Sequence, residues 1–266
     1  MIKTTYNNIN INFILVSMIV LMSCKKSDDH EPEIPIELNI EIIRGTVTDI
    51  DDNIYETVVI GGKEWMAENL KTTRYNNGTP IEYPGEDTDL WINNNSGAYA
   101  WYNNDESNKD KYGAVYNWYA ATNTNKLCPA GWRVPNSTDW TQLTDYLISE
   151  YTLSNNQSYV GSVGDRLKSC RQVNSPLGAP CATVEHPRWN SHNAHYGFDD
   201  FGFSALPISS RNSEGHYDSP GHNTRWWSAN SHDAAEAFTR YITYDNGRLF
   251  ENHRRKNNGY AVRCIK

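Results

Sequence analysis

Alternating apolar and polar residues predict short β-strands at both ends of the folded part of the chain. The N-terminal runs are Gly45–Ile50, Ile54–Ile60 and Lys63–Met66. The C-terminal runs are Phe238–Tyr244, Arg248–Asn252 and Tyr260–Ile265. Asp, Asn and Gly separate neighbouring runs, as turn residues between antiparallel strands do. The two sets of strands can therefore share one sheet.

Two helices are predicted between these strand regions. Tyr112–Thr122 has the composition of a short helix. The second helix has three apolar residues at the spacing of one helical face, namely Trp140, Leu143 and Leu147. Asn136 or Ser137 can accept the amide hydrogens of its first turn.

Residues 151–225 follow neither period and are rich in Gly, Pro, Ser, Asn and His. A long irregular stretch inside a compact domain is usually functional. The order of strands, two helices, a long irregular loop region and strands predicts an α+β fold with short antiparallel strands. We see no second linker and no internal repeat, so we expect one domain over residues 42–266.

Composition narrows the class of protein. The chain of 266 residues can form a sizeable core, and its 9 Trp and 17 Tyr are typical of a chain that folds. Its formal net charge is −8, whereas a protein that tracks nucleic acid needs positive surface to displace counterions. We therefore expect no nucleic-acid partner.

An apolar run of ten residues, Phe13–Met22, precedes the first cysteine. It is too short to span a bilayer, which takes about 20 apolar residues, and it is typical of a signal peptide. The run ends in Leu21-Met22-Ser23-Cys24, which resembles the bacterial lipobox. We predict that residues 1–23 are a lipoprotein signal peptide and that Cys24 is lipidated; an ordinary signal peptide is the alternative.

Residues 24–41 follow as an acidic segment with two prolines, typical of an extended tether. Two lysines and then clustered acids directly after the lipidated cysteine resemble the surface-export signal of Bacteroidetes lipoproteins. We expect an outer-membrane protein, anchored in the membrane by its lipid and exposed on the cell surface. A periplasm-facing protein is the alternative.

The remaining cysteines are Cys128, Cys170, Cys181 and Cys264. An even number in an exported chain indicates disulfides, with three connectivities open. Cys170 and Cys181 flank a short loop, so a bridge between them loses little closure entropy, and that leaves Cys128 with Cys264. A metal site is the competing interpretation, but no CxxC spacing is present.

A series of segments occurs here in an order known from one protein family. They are Asp49–Leu70 with Lys71–Tyr75, Gly97–Asp105, Tyr112–Ala120, Leu127–Trp140, Leu167–Asn190, Phe201–Pro207, Trp226–Ser228 and Val262–Cys264. Together they resemble the Fibrobacter succinogenes major paralogous domain (FISUMP) family over nearly all of residues 45–266. Ile208-Ser209-Ser210 stands where the family often has glycines.

The resemblance implies an exported or lipid-anchored bacterial protein without an established activity. It also implies a C-type-lectin-like fold, shared with formylglycine-generating enzymes. Gly131–Trp140 is similar to the helix start of those enzymes, and Gly259–Cys264 to their closing strand. Those enzymes bind copper through a reactive cysteine pair. Here Cys264 has Cys128 as a partner instead, so we expect the fold without that chemistry.

No sequence motif identifies a catalytic centre, since GxSxG, HExxH, the P-loop and GxGxxG are all missing from the sequence. Asp and Glu are numerous, so a carboxylate pair of a polysaccharide hydrolase stays open as an alternative. His186, His192 and His195 have a spacing that could hold a transition metal, but hydrogen-bonding loop histidines are the commoner case. We predict neither a metal nor a cofactor.

The leading hypothesis is a non-catalytic surface module that binds glycans or other surface ligands. Trp189 and Trp226 lie in polar, loop-like sequence, and flat indole faces suit the C–H faces of sugars. The polar residues proposed to bind ligand with them are Arg211, His192, His195 and Asp199. A cell-envelope enzyme and a structural protein-interaction module are the alternatives.

Overall fold

The computed structural model describes residues 41–155, 162–208 and 210–266. These described residues form one compact unit. The predicted signal peptide, the lipidation site Cys24 and all of the predicted tether except Glu41 lie outside the described residues. None of the helices in the described ranges is both long and apolar enough to cross a bilayer.

The N-terminal sheet has three antiparallel strands in the order β1-β2-β3. They are β1 (Arg44–Thr48), β2 (Ile54–Ile60) and β3 (Lys63–Met66). The positions of β2 and β3 match the sequence prediction, and β1 begins one residue earlier. In the turn after β1, the Asp49 carboxylate accepts hydrogen bonds from the Asn53 backbone N–H at 3.0 Å and the Tyr55 hydroxyl at 2.5 Å. A buried side chain thus fixes the first hairpin.

The middle of the domain is built from very short elements. They are α1 (Thr88–Ile92), β4 (Tyr99–Ala100), two 3-10 turns (Tyr102–Asn104 and Glu106–Asn108), α2 (Lys109–Tyr112), β5 (Val115–Tyr116) and α3 (Trp118–Ala121). β4 and β5 pair antiparallel as a two-stranded sheet.

The single helix predicted over Tyr112–Thr122 is therefore wrong. Gly113 ends α2 with φ 74°, a conformation that glycine adopts without strain. A Cβ at this position would lie 2.8 Å from the Cβ of Asn69. Asn117 then starts α3, because its side chain accepts the Ala120 N–H at 2.9 Å. Close backbone packing at Gly113 and this new cap divide a segment whose composition alone favours one helix.

The long helix α4 (Ser137–Asn155) begins where the sequence predicts. The Asn136 side chain accepts the Asp139 N–H at 2.9 Å, and the Asp139 carboxylate accepts the Asn136 N–H at 2.8 Å. This reciprocal arrangement is a capping box. The predicted apolar face is confirmed, since all three of its residues are buried, namely Trp140, Leu143 and Leu147. A short helix, α5 (Val163–Leu167), follows.

The C-terminal sheet also has three antiparallel strands, β6 (Asn223–Ser231), β7 (Glu236–Thr243) and β8 (Phe250–Arg255). The sequence predicts no strand at β6, because residues on both of its faces are buried and polar and apolar positions do not alternate. Trp226 packs against Trp140 of α4, with ring centroids 5.8 Å apart. Its neighbour Trp227 packs on the other side against Tyr260, at 4.7 Å.

The last residues do not form the continuous strand predicted for Tyr260–Ile265. They make isolated bridges to several elements instead: Tyr260 to Tyr116 of β5, Ala261 to Trp226 of β6, and Ile265 to Trp65 of β3. The C-terminal segment therefore connects all three sheets. The two ends of the chain meet as expected, through these bridges rather than through one shared sheet.

Both expected disulfides are present. Cys128 is bonded to Cys264, across 136 residues of sequence, and Cys170 to Cys181, across 11. The first ties the C-terminal segment to the loop before α4. The second closes the local loop that follows α5.

Candidate functional site

Trp189 and Trp226, predicted to present ring faces to a ligand, are buried. Their exposed fractions are 1% and 0%. The Trp189 indole N–H donates to the Ala205 carbonyl at 3.0 Å, and that of Trp226 donates to Asn69 Oδ1 at 3.0 Å. Large rings that find polar partners for their N–H groups inside the domain contribute most by burial. The prediction that these rings line a ligand site is wrong.

Arg211 is also enclosed, with 1% of its surface exposed. Its guanidinium lies 4.4 Å from the centre of the Trp91 ring and 5.4 Å from that of Tyr217. Its Nε donates to the Gly215 carbonyl at 3.1 Å. Burial lowers the pKa of Arg211, and the guanidinium stabilises its own loop by cation–π contacts. It does not form a surface ligand site with the two tryptophans.

His192 and His195 are partly buried and stack on each other, with ring centroids 5.1 Å apart. His192 Nδ1 accepts the backbone N–H of His195 at 2.9 Å. His195 Nδ1 lies 3.0 Å from the Asp165 carboxylate. These contacts order the loop. Within the described ranges no group of three or more His, Cys, Asp or Glu side chains is placed to hold a metal ion.

Of the six predicted ligand residues, Asp199 alone lines a cleft of about 420 Å³ that we call the Arg263 cleft. The cleft is bounded by residues before and within α2, by the loop after α5 and by the C-terminal segment. Its lining residues are Glu56, Ala67, Glu68, Asn69, Lys71, Lys109, Asp110, Lys111, Tyr112, Gly113, Ser169, Cys170, Arg171, Asp199, Ser204, Leu206 and Arg263.

Arg263 forms the inner wall of this cleft and is 1% exposed. Its Nε donates to Asn69 Oδ1 at 3.1 Å and its Nη2 to the Ser204 carbonyl at 3.1 Å, while Nη1 donates to the Phe203 carbonyl. The guanidinium also lies 4.3 Å from the Phe203 ring centre. Burial lowers the pKa of Arg263 to about 9, although the nearby Asp199 charge raises it. A fixed cation thus lies at the back of the cleft.

Asp199 has a left-handed backbone, with φ 54°. Its carboxylate accepts the Ser204 N–H at 2.6 Å and the Ser204 hydroxyl at 2.5 Å. Burial raises the pKa of Asp199 to about 6, against the opposing effects of the Ser204 hydrogen bonds and of the Arg263 and Arg44 charges. A carboxyl group that titrates near neutrality in a cleft is a feature of functional sites.

Asn69 and Ser169 complete the polar inner wall. Asn69 Oδ1 accepts both the Arg263 Nε–H and the Trp226 indole N–H, and its Nδ2 donates to the Tyr112 carbonyl at 3.2 Å. Every polar atom of this side chain is therefore engaged and its orientation is fixed. The Ser169 hydroxyl is buried and has no hydrogen-bond partner among the described residues.

A second cavity, of about 850 Å³, lies beside the Cys128–Cys264 disulfide. Its charged lining side chains are Lys126, Arg133 and Lys266, all of them exposed. No carboxylate side chain is among its lining residues. Because fixed, convergent polar groups characterise binding sites, the smaller Arg263 cleft is the better candidate.

The comparison with protein families gives a match over residues 58–266 to the family described as the Fibrobacter succinogenes major domain. The chain belongs to this family. No curated protein and no solved structure matches the chain. Apart from Glu56, the lining of the Arg263 cleft lies within the matched Fibrobacter succinogenes major domain.

Sequence reasoning missed Arg263, Asn69 and Ser204 as site residues of this Fibrobacter succinogenes major domain. The sequence does indicate that Arg263 is unusual, because it is the one charged residue in the otherwise apolar stretch Ala261–Ile265. A charged residue buried among apolar ones needs partners for its donors. Asn69 and Ser204 carried none, because nothing in their local sequence indicates that they meet Arg263.

Proposed function

We propose that this chain is a lipid-anchored binding module of the bacterial outer membrane that takes a glycan in the Arg263 cleft. The observation that carries the proposal is a wall of fixed hydrogen-bonding groups at the back of the cleft. Asn69 is held by three hydrogen bonds and Asp199 by two. Saccharide hydroxyls both donate and accept, so they suit a wall with amide, carboxyl and hydroxyl groups. Preorganised partners reduce the entropy lost on binding.

The membrane location rests on the sequence of the N-terminus. Cys24 closes the lipobox-like segment, and acyl chains attached there would hold the domain at the membrane. Exposure on the cell surface follows from the acids that come after Cys24, and a periplasm-facing protein is the alternative. The C-type-lectin-like fold is likewise part of the proposal, supported by the similarity of Gly131–Trp140 and Gly259–Cys264 to segments of that fold group.

A second candidate function is a polysaccharide hydrolase of the cell envelope. Four carboxyl groups line the cleft, and two of them, Glu56 and Asp110, form ion pairs. The other two differ in setting: Asp199 is enclosed, and its pKa is raised to about 6, whereas Glu68 is exposed. Glycosidases use such a pair as acid and base. The readout that separates the two functions is the appearance of new reducing ends when the protein is incubated with a polysaccharide that it binds.

The proposal is tested by applying the detergent-solubilised full chain to an array of polysaccharides and measuring the affinity for any that bind. Glu68 lines the cleft and is exposed, so Glu68→Trp fills the cleft without disturbing the core. We expect this variant to lose at least tenfold in affinity. Glu86→Trp, an exposed position outside the cleft lining, is the matched control and keeps it. Equal affinity in both variants contradicts the assignment of the cleft.

A further inference from the structure

The Arg263 cleft carries more positive than negative charge that is not already paired. Lys71 pairs with Asp110 at 2.8 Å. The other cations of the lining are Lys109, Lys111, Arg171 and Arg263. Within the described ranges, none of these four forms an ion pair with a carboxylate. Against these four cations the lining has two carboxylates without an ion pair, Asp199 and Glu68, so the cleft has an excess of positive charge in a chain whose net charge is −8.

Arg171 is the cation best placed to meet a ligand. It is half-buried and directly follows Cys170, whose bond to Cys181 closes the loop. The Arg171 carbonyl accepts the Trp189 N–H at 2.8 Å, so its backbone is fixed from two sides. Burial raises the pKa of Tyr112, and the Arg171 charge opposes this rise. Arg171 and Tyr112 both line the cleft.

Most N–H donors of the Arg171 guanidinium form no hydrogen bond with the described residues. One Nη2–H reaches the Glu185 carbonyl at a long 3.3 Å, and no further hydrogen bond of this side chain is formed with the described residues. A planar guanidinium with free N–H groups binds a carboxylate through two parallel hydrogen bonds. The lysines of α2, Lys109 and Lys111, add positive potential at the same mouth.

Resting on the proposed function, we propose that the glycan bound in the Arg263 cleft is acidic, and that Arg171 binds the carboxylate of a uronic acid residue. Glycan hydroxyls would meet Asn69 and Ser204 deeper in the cleft, while the carboxylate stays at the mouth. A neutral saccharide would leave Arg171 without a counterion and bind more weakly.

Asp199 makes this binding dependent on pH. Its carboxyl contacts Ser204, and Arg263 and Arg44 are the cations that act on it. Glu68 lines the same cleft, whereas the neighbouring Asp200 is paired with Arg166 at 2.6 Å. When Asp199 is ionised it repels an acidic ligand, and when protonated it does not. Because the Asp199 carboxyl lines the cleft, we expect an acidic ligand to bind more tightly at acidic pH than at neutral pH.

The test compares oligogalacturonate, oligoglucuronate and oligomannuronate with their methyl esters, which keep the sugar backbone and remove the charge. Affinity is measured with the full chain in detergent at low salt and at pH 5.5 and 7.5. We expect at least one acid form to bind at least tenfold more tightly than its ester, with the preference shrinking as salt rises. We also expect tighter binding of the acid form at pH 5.5.

Three variants and one control locate the residues responsible for this preference and for its pH dependence. Arg171→Gln should abolish the preference for the acid form, and Arg171→Lys should retain part of it. Arg188→Gln is the matched control, because Arg188 also donates to a backbone carbonyl in the same loop, that of Val184, yet does not line the cleft. The Arg188→Gln variant should keep the full preference for the acid form over the ester. Asp199→Asn should remove the pH dependence and leave affinity at its low-pH value.

The outcomes separate the two proposals. Equal affinity for acid and ester, or an unchanged preference in Arg171→Gln, overturns the acidic-glycan inference and leaves glycan binding in place. If no oligosaccharide of either kind binds, the acidic-glycan inference fails, and the polysaccharide array decides the proposed function separately. An affinity that depends on pH equally in the wild type and in Asp199→Asn overturns the role of Asp199.

Discussion

The Asp139 carboxylate accepts hydrogen bonds from both terminal nitrogens of the Arg133 guanidinium, at 2.5 Å and 2.8 Å. It also accepts a hydrogen bond from the Lys63 ammonium group at 2.6 Å. One buried carboxylate therefore connects β3 to the start of α4. Burial alone would raise the pKa of Asp139, but the hydrogen bonds from Arg133 and Lys63 outweigh it and hold the pKa well below its ordinary value.

Replacing this carboxylate should destabilise the domain. We expect Asp139→Asn to lose about 2–3 kcal/mol of unfolding free energy at pH 7, less than a fully buried pair because Arg133 is half exposed. Since the folded-state pKa is depressed, this stability is present above about pH 4 and is lost as pH falls below it. Urea unfolding at pH 7 and pH 3 measures both effects. Asp145→Asn, at an exposed position of the same helix, should change the free energy by less than about 0.5 kcal/mol.

The two disulfides should differ in their contribution to stability. In the chain-entropy model, removing a bridge across 136 residues costs about 5 kcal/mol, and one across 11 residues about 3 kcal/mol. The double variant Cys128→Ala with Cys264→Ala should therefore be less stable than Cys170→Ala with Cys181→Ala, by thermal or denaturant unfolding. Non-reducing peptide mapping of the wild type is the control. Free thiols at these positions, or another pairing, would show that the bridges are wrong.

Asp199 should oppose folding at neutral pH. Its pKa rises from about 3.9 in an unfolded chain to about 6 in the folded domain. The folded state therefore holds the proton to higher pH, and the Asp199 contribution to stability falls between pH 4 and pH 6, by roughly 2–3 kcal/mol. Asp199→Asn should remove this fall, and asparagine also tolerates the left-handed backbone.

The measurement is the difference between the wild-type and Asp199→Asn unfolding free energies at four pH values from 4.5 to 7.5. The unfolding free energy of Asp199→Asn should increase relative to that of the wild type as pH rises. Asp245→Asn, at an exposed position, is the control. Its unfolding free energy should change with pH in the same way as that of the wild type. A constant difference between wild type and Asp199→Asn would contradict the raised pKa.

Trp189 should act through packing. We expect Trp189→Ala to lose about 3–5 kcal/mol of unfolding free energy, the usual loss for a buried tryptophan, and to leave the Ala205 carbonyl without its donor. Val184→Ala, five residues earlier and with 79% of its surface exposed, should have almost no effect. A Trp189→Ala protein with unchanged stability and reduced ligand binding would restore the ring as a ligand face.

Lipidation of Cys24 is checked in cells. Cys24→Ser should fail to incorporate a palmitate analogue and should leave the membrane fraction, because no acyl chain remains to anchor it. The wild type labelled in parallel is the control. A mutant that is still labelled and still sediments with membranes would refute the lipoprotein prediction.

Prediction from sequence succeeded where short-range rules decide the structure. The boundaries of β2 and β3 follow from alternation and turn residues, and the start of α4 follows from the Asn136 and Asp139 cap. It failed at β6, whose residues Trp226 and Trp227 are both buried, so that no alternation marks the strand. It failed again at Tyr112–Thr122, where the close approach of Gly113 to Asn69 breaks a helix-like sequence.

The candidate site shows the same limit. Of the six predicted ligand residues, Asp199 alone lines the Arg263 cleft. The polar, loop-like sequence around Trp189 and Trp226 predicts exposed rings. In the folded domain both rings are buried, and their indole N–H groups bond to Ala205 and, across 157 residues of sequence, to Asn69. Arg211 is enclosed as well and bonds within its own loop to the Gly215 carbonyl.

The sequence by itself determined the family, because its motifs occur in the family's order. It also determined the α+β composition, the first strands and the capped helix, because local backbone preferences decide these elements. Only the tertiary structure decided which polar groups converge. Arg263 donates to Asn69 across 194 residues of sequence and to the Phe203 carbonyl across 60. Such pairs form because a buried cation must find acceptors wherever packing brings them, and packing depends on the whole chain at once.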